Sequence, residues 1–176
     1  MPFPPRSLTP KLQCEVAMSI VEIQREDISS FVAASLILAL NTELEALYPE
    51  EGALHFRLDA GEVQEGRGAF LVAYINGQPV GCGAIRLLGG LRAEVKRMYV
   101  VPEARGKKIG NGILDALERE ARRLGVKEMV LETGVRQPRA VSLYETAGFV
   151  RVPLFGEYIG KPLSVCMAKT LKEATA

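Results

Sequence analysis

The chain has 176 residues, of which 48% are hydrophobic and 24% are charged, a composition that is ordinary for one globular domain. A formal net charge of +1 gives no argument for a nucleic-acid or membrane-surface partner, and no apolar run is long enough to cross a bilayer, so neither partner is expected. Three scattered cysteines without a CxxC pair and a single histidine argue against a zinc site or a disulfide framework, so no metal is expected and a reducing, cytoplasmic location fits best.

The N-terminal residues are rich in proline. Four of the first ten residues are prolines, which predicts a loose and extended arm rather than a packed element. We therefore expect the arm to cover residues 1–17 and a single domain to cover residues 18–176. We hypothesise that Met18 is the natural start of the chain, because regular structure is expected to begin directly after it.

The first part of the domain is expected to hold a strand and a helix. The strand is Ser19–Gln24, whose apolar residues alternate with polar ones. Asp27 is the candidate N-cap of a helix over residues 28–48, where apolar residues recur at helical spacing, and a break is expected near Asn41. Residues 50–68 are polar and contain glycine, which predicts a loop.

Three strands separated by turn residues follow and predict an antiparallel meander. The strands are Phe70–Ile75, 80–87 and 92–101, and the turns are Asn76-Gly77 and Gly89-Gly90. The remaining expected elements are a helix at 109–124, a strand at 127–133, a short helix from Pro138 to Gly148 and a last strand at 165–169. The strand–helix–strand order predicts one parallel pair, so the expected fold class is α+β, with a mixed, mostly antiparallel sheet and helices on its faces.

The segment that joins the strand at 92–101 to the next helix carries the most information. It combines three basic residues with three glycines, namely Arg105, Lys107, Lys108, Gly106, Gly110 and Gly112. Glycines let the backbone approach a ligand closely, and the first amides of a helix bind anions. The segment therefore favours a phosphate site, with a basic turn before an amphipathic helix as the alternative. The spacing fits neither the nucleotide P-loop nor the dinucleotide fingerprint.

Two motifs resemble those of the GNAT superfamily of acyl-CoA-dependent N-acyltransferases. The string Met98-Tyr99-Val100, with Pro102 and then Arg105–Gly110 (RGKKIG), looks like motif A of that family, [Q/R]xxGx[G/A], in which Lys108 replaces the inner glycine. Downstream, residues 140–149 (AVSLYETAGF) look like the family's AxxLYxxxGF motif, in the right order and at the right spacing.

The resemblance implies a GNAT-like fold and an N-acetyltransferase that uses acetyl-CoA, with the two parallel strands splayed apart for the cofactor. The backbone of Met98, Tyr99 and Val100 would pair with the pantetheine arm. The residues implied for the pyrophosphate loop are Arg105, Gly106, Lys107, Lys108, Ile109, Gly110 and Asn111. Gln137 and Arg139 are further candidate cofactor contacts, although Arg139 can equally be a solvated surface residue.

The same resemblance makes Tyr144 the candidate general acid. A phenol close to the sulfur can protonate the CoA thiolate that leaves after acetyl transfer. The alternative is a tyrosine that only packs the short helix against the sheet. Cys82 lies between two glycines on a strand and is interpreted as a small residue packed under a helix, because His55 gives no demonstrable base for an acyl-cysteine intermediate.

The attacking amine must be neutral, so a carboxylate base is expected. Glu94 and Glu132 are the two candidates, and Glu94 is favoured. Simple strand alternation places Glu94, Lys96, Met98 and Val100 nominally on one face of the sheet. For both glutamates the alternative interpretation is a structural salt bridge.

The acceptor site is implied to lie between residues 41–56 and 154–163. Glutamates in the first segment would attract a cationic amine, whereas Lys161 in the second would bind a carboxylate, so the sequence leaves polyamine, amino acid, peptide N-terminus and protein lysine open. A transferase that uses another acyl-CoA and a non-catalytic acyl-CoA-binding module that senses cofactor level are the alternative functions. Dimers are common in the family, so a homodimer is a hypothesis.

Overall fold

The structure is a computed structural model in which residues 20–50 and 57–172 are described. Within those ranges the chain forms one seven-stranded sheet and three α-helices. The predicted arm, Met18 and His55 lie outside the described residues, so what was predicted for them stays a prediction.

The elements follow one another in an order close to the one expected. They are β1 (Val21–Arg25), α1 (Phe31–Leu47), β2 (Gly68–Ile75), β3 (Gln78–Gly89), β4 (Arg92–Val100), α2 (Ile109–Arg123), β5 (Glu128–Gly134), α3 (Pro138–Thr146), β6 (Val150–Val152) and β7 (Ser164–Thr170). Short 3-10 turns lie at Ala60–Glu62, Pro102–Ala104 and Gly156–Tyr158. The three-residue strand β6 was not predicted, because it is too short to show alternation.

The sheet order is β1-β2-β3-β4-β5-β7-β6, and β4 and β5 are its one parallel pair. Helix α2 crosses between these two strands and buries its apolar face against one side of the sheet. Helix α1 covers the other side. The predicted α+β fold is therefore confirmed, and the Asn76-Gly77 hairpin turn is confirmed by positive φ angles of 50° and 76°.

Helix α1 differs from its prediction at both its start and its middle. Its N-cap is Ser30, whose hydroxyl accepts from the amide of Ala33 at 3.1 Å. Asp27 instead accepts from the amide of Ser29 at 2.8 Å and closes a turn before the helix. The predicted break at Asn41 is wrong, because α1 continues for 17 residues. Asn41 accepts a hydrogen bond from Arg97 of β4 at 2.9 Å.

The parallel strands β4 and β5 separate halfway along. Their pairing runs from Arg92 opposite Glu128 to Val95 opposite Leu131, while β4 continues as a strand to Val100. The splay that the resemblance implied is therefore present. It leaves the β5-facing edge of β4 open beyond Val95.

A β-bulge in β4 accompanies this splay. The register of β3 against β4 shifts between Cys82 opposite Tyr99 and Ala84 opposite Lys96, and Arg97 has a φ of 59°. A bulge adds one residue to a strand and so reverses the alternation beyond it.

The expectation of one common face for four residues of β4 is therefore wrong. Glu94 lies between two residues of the core under α2, so its side chain points to the α1 side, and Lys96 lies opposite Ala84, which belongs to the core under α1. After the bulge, Met98 and Val100 pack against the core under α2.

Candidate active site

A groove of about 880 Å³ opens where β4 and β5 separate. Its walls come from the C-terminal half of α1, the end of β4, the start of α2 and the start of α3. The predicted cofactor residues that line it are Met98, Tyr99, Val100, Arg105, Gly106, Lys108, Ile109, Gly110, Asn111, Gln137 and Arg139. Of that predicted set, Lys107 is exposed and does not line the groove.

The loop before α2 has the backbone shape that a pyrophosphate cradle needs. Gly106 has a φ of 80° and Lys108, the N-cap of α2, has a φ of 59°. The first i to i−4 hydrogen bond of the helix is donated by Gly112 to Lys108 at 3.1 Å, so the amides of Ile109, Gly110 and Asn111 are those that a helix start leaves for an anion. Lys108 thus adopts a left-handed conformation, at a cost of about 1–2 kcal/mol.

Arg105 joins this loop to the rest of the groove. Its Nε donates to the carbonyl of Val100 at 2.9 Å, and its Nη2 donates to Glu43 of α1 at 2.6 Å. The guanidinium also lies 5.7 Å from the ring centre of Tyr99. Both partners of the ion pair are about a third exposed, so the pair contributes little stability on its own. The ion pair links α1 to the loop before α2.

Gln137 and Arg139 lie at the start of α3. The Oε1 of Gln137 accepts from the amide of Gly134 at 3.1 Å, which fixes the turn between β5 and α3. Since that oxygen is used by the protein, the amide hydrogens are what Gln137 would offer to a cofactor. Arg139 is exposed at the rim of the groove.

A second, smaller cavity of about 90 Å³ adjoins the groove, and we call it the acceptor cavity. Its volume is that of about three water molecules, so it admits only a small group. Its polar lining consists of Tyr48, Glu94, Lys96, Arg97, Glu132, Thr133, Gln137, Tyr144 and Tyr158. Tyr144 and Met98 line both spaces, so the two adjoin at these residues.

Tyr144 has the protonation state that a general acid requires. It is buried in α3 and its ring meets that of Phe149 edge-on, with ring centres 5.9 Å apart. Burial, and secondly the negative charge of Glu132, raise the pKa of Tyr144 well above its usual value. The phenol therefore stays protonated throughout the neutral range. Tyr144 also packs α3 against the sheet, which was the alternative interpretation of its sequence position. A packing role and an acid role are compatible.

Glu94 lies at the centre of a buried hydrogen-bond network. Its Oε2 accepts from Nε and Nη2 of Arg86 at 2.9 and 2.7 Å, and its Oε1 accepts from the hydroxyl of Tyr158 at 2.6 Å and from Lys96 at 3.3 Å. The structural salt bridge that the sequence analysis gave as the alternative role of Glu94 is therefore present. Both oxygens of this carboxylate are already used inside the protein.

Glu132 lies near the end of β5 and is only partly buried. Its Oε1 accepts from the hydroxyl of Ser164 at 2.6 Å. Glu132 and Tyr144 both line the acceptor cavity.

Sequence reasoning missed Arg86 and the network role of Tyr158. The hairpin from β3 to β4 places Arg86 directly opposite Glu94. Counting back along both strands from the glycine turn would not have found this pair, because the register shifts by one residue between Leu87 and Gly89. Tyr158 lies 64 residues from Glu94 in sequence and reaches it through the Gly156–Tyr158 turn, so no local pattern indicates that contact.

Cys82 behaves as the sequence predicted. It is fully buried under α1, and its thiol donates to the carbonyl of Arg97 at 3.3 Å. Burial raises the pKa of the Cys82 thiol to about 12. The thiolate needed for nucleophilic attack is therefore absent at neutral pH.

The wall between α1 and the turn after β5 depends on one close approach. The ring of Tyr48 lies on Gly134, and its hydroxyl accepts from the amide of Arg136 at 2.8 Å. A methyl group at position 134 would lie 1.9 Å from that hydroxyl oxygen, which no real contact permits. Only glycine fits here, and its backbone needs no unusual conformation.

We therefore expect Gly134→Ala to lower the free energy of unfolding by about 1–3 kcal/mol, the usual cost of overpacking. Urea denaturation followed by circular dichroism measures the change. Gly61→Ala is the matched control, because a methyl group there meets no atom within 4 Å, and its effect is expected to stay within about 0.5 kcal/mol. Equal stability of Gly134→Ala and the wild type would show that the Tyr48 contact is not as tight as described.

Two observations concern other kinds of site. Among residues 20–50 and 57–172, no three His, Cys, Asp or Glu side chains are grouped so that they could hold a metal ion. In the same ranges, none of the helices combines the length and the apolar character that a bilayer crossing requires.

Comparison with known proteins agrees with this geometry. The profile of the acetyltransferase (GNAT) family matches residues 34–149. An "IAA acetyltransferase" of Azospirillum brasilense is 41% identical over 155 residues, which is 88% of this chain and 100% of that protein. A Klebsiella pneumoniae protein described as an acyl-CoA N-acyltransferase has a crystal structure that superposes with a TM-score of 0.76 at 32% identity, covering 87% of this chain and 99% of its own.

A more distant structure shares the fold. The paia N-acetyltransferase of Thermoplasma acidophilum, in complex with coenzyme A, superposes with a TM-score of 0.65 at 19% identity over 86% of this chain and 99% of that chain. The family profile covers most of the chain, and the Azospirillum relative is matched over its whole length. The chain therefore belongs to the GNAT family of acetyltransferases and is an acyltransferase enzyme.

Proposed function

We propose that this enzyme moves the acetyl group of acetyl-CoA to a primary amine by direct attack, with both substrates bound at once. The observation that supports the proposal is that the large groove and the acceptor cavity share Tyr144 and Met98 in their linings. A donor in the groove and an amine in the cavity would thus face each other without exchanging places. No acyl-enzyme step is needed, and the buried, protonated Cys82 argues against one.

The groove fits acetyl-CoA at two places. The open edge of β4 beyond Val95 offers backbone groups to the amides of a pantetheine arm, in the manner of an added strand. The cradle before α2 offers free helix amides to a pyrophosphate. The Thermoplasma structure contains coenzyme A on the same fold, which supports this cofactor class.

Acetyl-CoA would supply an activated acetyl group and a thiolate leaving group. Tyr144 would donate its phenolic proton to the departing sulfur, and its raised pKa keeps that proton available at neutral pH. Buried position and edge-on packing against Phe149 would hold the hydroxyl in one place.

The structure bears on the choice of base. Glu94, favoured from the sequence, could take a proton only by weakening its bonds to Arg86 and Tyr158. Glu132 lines the acceptor cavity, where the attacking amine would lie. We therefore assign the base role to Glu132 and the positioning of the cavity wall to Glu94, with Glu94 as the alternative base.

Two variants separate these roles. Glu132→Gln is expected to lower kcat/KM at pH 7 by about 10- to 100-fold, and the loss is expected to shrink towards pH 10, because a free amine no longer needs a base. Glu94→Gln is expected to lower the free energy of unfolding by about 1.5–3 kcal/mol, the worth of hydrogen bonds to a charged group. Initial rates of CoA thiol release and urea denaturation measure the two effects.

Ser164→Ala is the control for the Glu132 and Glu94 variants. Ser164→Ala removes the hydroxyl that donates to Glu132 but leaves the carboxylate, so its rate at pH 7 should stay within about threefold of the wild type. If Glu94→Gln showed the pH-dependent loss and Glu132→Gln did not, the base role would belong to Glu94.

A further inference from the structure

We propose that Glu43 of α1 limits how tightly the groove holds the pyrophosphate of acetyl-CoA and of the product CoA, by competing with it for the guanidinium of Arg105. The inference rests on the proposed function, because it concerns the cofactor groove of the same enzyme. It adds a residue that opposes cofactor binding and so keeps the release of CoA fast.

Glu43 differs in charge from the other ionisable residues of the groove. Among the described residues that line the groove, four are cationic, namely Arg105, Lys108, Arg136 and Arg139, and Glu43 alone is acidic. A positive lining suits a cofactor whose pyrophosphate is anionic, whereas a carboxylate in the same groove repels that group. Attraction of the cofactor therefore does not explain the position of Glu43.

The carboxylate of Glu43 occupies one of the donors of Arg105. Nη2 of Arg105 donates to Glu43 at 2.6 Å, and Nε donates to the carbonyl of Val100 at 2.9 Å, so two guanidinium nitrogens are bonded within the protein. A phosphate oxygen can take Nη2 only if the carboxylate gives it up. A phosphate on Nη1 would share one guanidinium with the carboxylate. In both cases the carboxylate opposes the phosphate.

The ion pair between Glu43 and Arg105 is exposed enough to exchange partners. The side chain of Arg105 is 35% exposed and that of Glu43 is 40% exposed. An ion pair in contact with water contributes little stability, so an incoming phosphate breaks it at small cost. The carboxylate still remains beside the groove, because the ring of Tyr48 at the end of α1 is held closely on Gly134.

A weaker hold on the pyrophosphate affects the product as much as the donor. CoA keeps the pyrophosphate of acetyl-CoA, so a groove that binds the donor too tightly also retains the product. Release of product, rather than the chemical step, limits kcat in many enzymes. A lone carboxylate at the rim of the groove lowers the affinity for both molecules and shortens the residence time of CoA.

The test is the binding of CoA and of acetyl-CoA to the wild type and to Glu43→Gln. Glutamine keeps an oxygen that accepts from Arg105 and removes only the charge. At low salt, Glu43→Gln is expected to lower Kd for both ligands by about 3- to 10-fold, the effect of one nearby unit charge in a partly exposed site. The difference should shrink at about 0.5 M salt because of screening. Isothermal titration gives Kd, and stopped-flow displacement of CoA gives koff, which should fall by a similar factor.

Three further variants identify the cause of the tighter binding. Glu45→Gln removes the same charge from an exposed position of α1 that does not line the groove, so its Kd should stay within about twofold of the wild type. Glu43→Asp keeps the charge and should retain the weaker binding of the wild type. In an Arg105→Gln background, Glu43→Gln should no longer tighten binding, because the competition requires that guanidinium. Urea denaturation verifies that each variant is folded.

The outcomes separate this inference from the proposed function. Equal or weaker CoA binding by folded Glu43→Gln, equal tightening in Glu45→Gln, or tightening that persists in the Arg105→Gln background would overturn the role of Glu43 and leave the cofactor groove intact. A folded wild type that fails to bind acetyl-CoA would contradict the proposed function and the inference together.

Discussion

Tyr144→Phe is expected to lower kcat by about 10²- to 10³-fold, because proton transfer by a positioned acid contributes at least that much. The Kd for acetyl-CoA should change by no more than about twofold, since the phenolic oxygen takes no part in the cradle or in the strand-edge contacts proposed for the cofactor. Stopped-flow or steady-state thiol release gives kcat, and isothermal titration gives Kd. The ring and its packing against Phe149 remain, so the fold should be unchanged.

The pH profile adds a second readout for this acid. Because the pKa of Tyr144 is raised, its protonated form persists as pH increases. The wild-type rate should therefore rise as the amine loses its proton, with no fall on the alkaline side up to about pH 9. Tyr74→Phe is the matched control, since that hydroxyl donates to Glu26 near the sheet edge, and it should leave kcat unchanged. A kcat for Tyr144→Phe equal to that of the wild type would remove Tyr144 from the mechanism and leave it a packing residue.

Much of the fold could be predicted because its signals are local. The Asn76-Gly77 turn needs positive φ at two adjacent positions, and the apolar stripe of α2 follows a helical period over 15 residues. The continuity of α1 could not be predicted in the same way. Asn41 breaks the apolar pattern, but its side chain accepts a hydrogen bond from Arg97 on a distant strand, and only the tertiary structure shows this.

The groove and the acceptor cavity also differ in how far local sequence signals predict them. The groove is lined largely by two continuous stretches, the end of β4 with the loop after it and the start of α3, so motif resemblance identified most of its residues. The acceptor cavity depends on the bulge at Arg97, which reverses the alternation of β4, and on Tyr158 from a distant turn. Period-two reasoning cannot anticipate a bulge, because one inserted residue exchanges the two faces of a strand.

The loop before α2 is proposed to bind the pyrophosphate of acetyl-CoA, and Gly110 is the position that tests this binding most directly. A methyl group there would lie 3.4 Å from Leu143, an ordinary contact, so Gly110→Ala should be tolerated. Gly110→Glu adds bulk and negative charge to the cradle. A glutamate in the first turn of a helix stabilises that helix, so the variant should remain folded.

Isothermal titration of acetyl-CoA into the wild type, Gly110→Ala and Gly110→Glu is therefore the most direct measurement. We expect micromolar binding by the wild type, about −8 kcal/mol, similar binding by Gly110→Ala, and at least about a 100-fold weaker Kd for Gly110→Glu. A folded wild type that does not bind acetyl-CoA, or a Gly110→Glu variant that binds as tightly as the wild type, would contradict the proposed cofactor site.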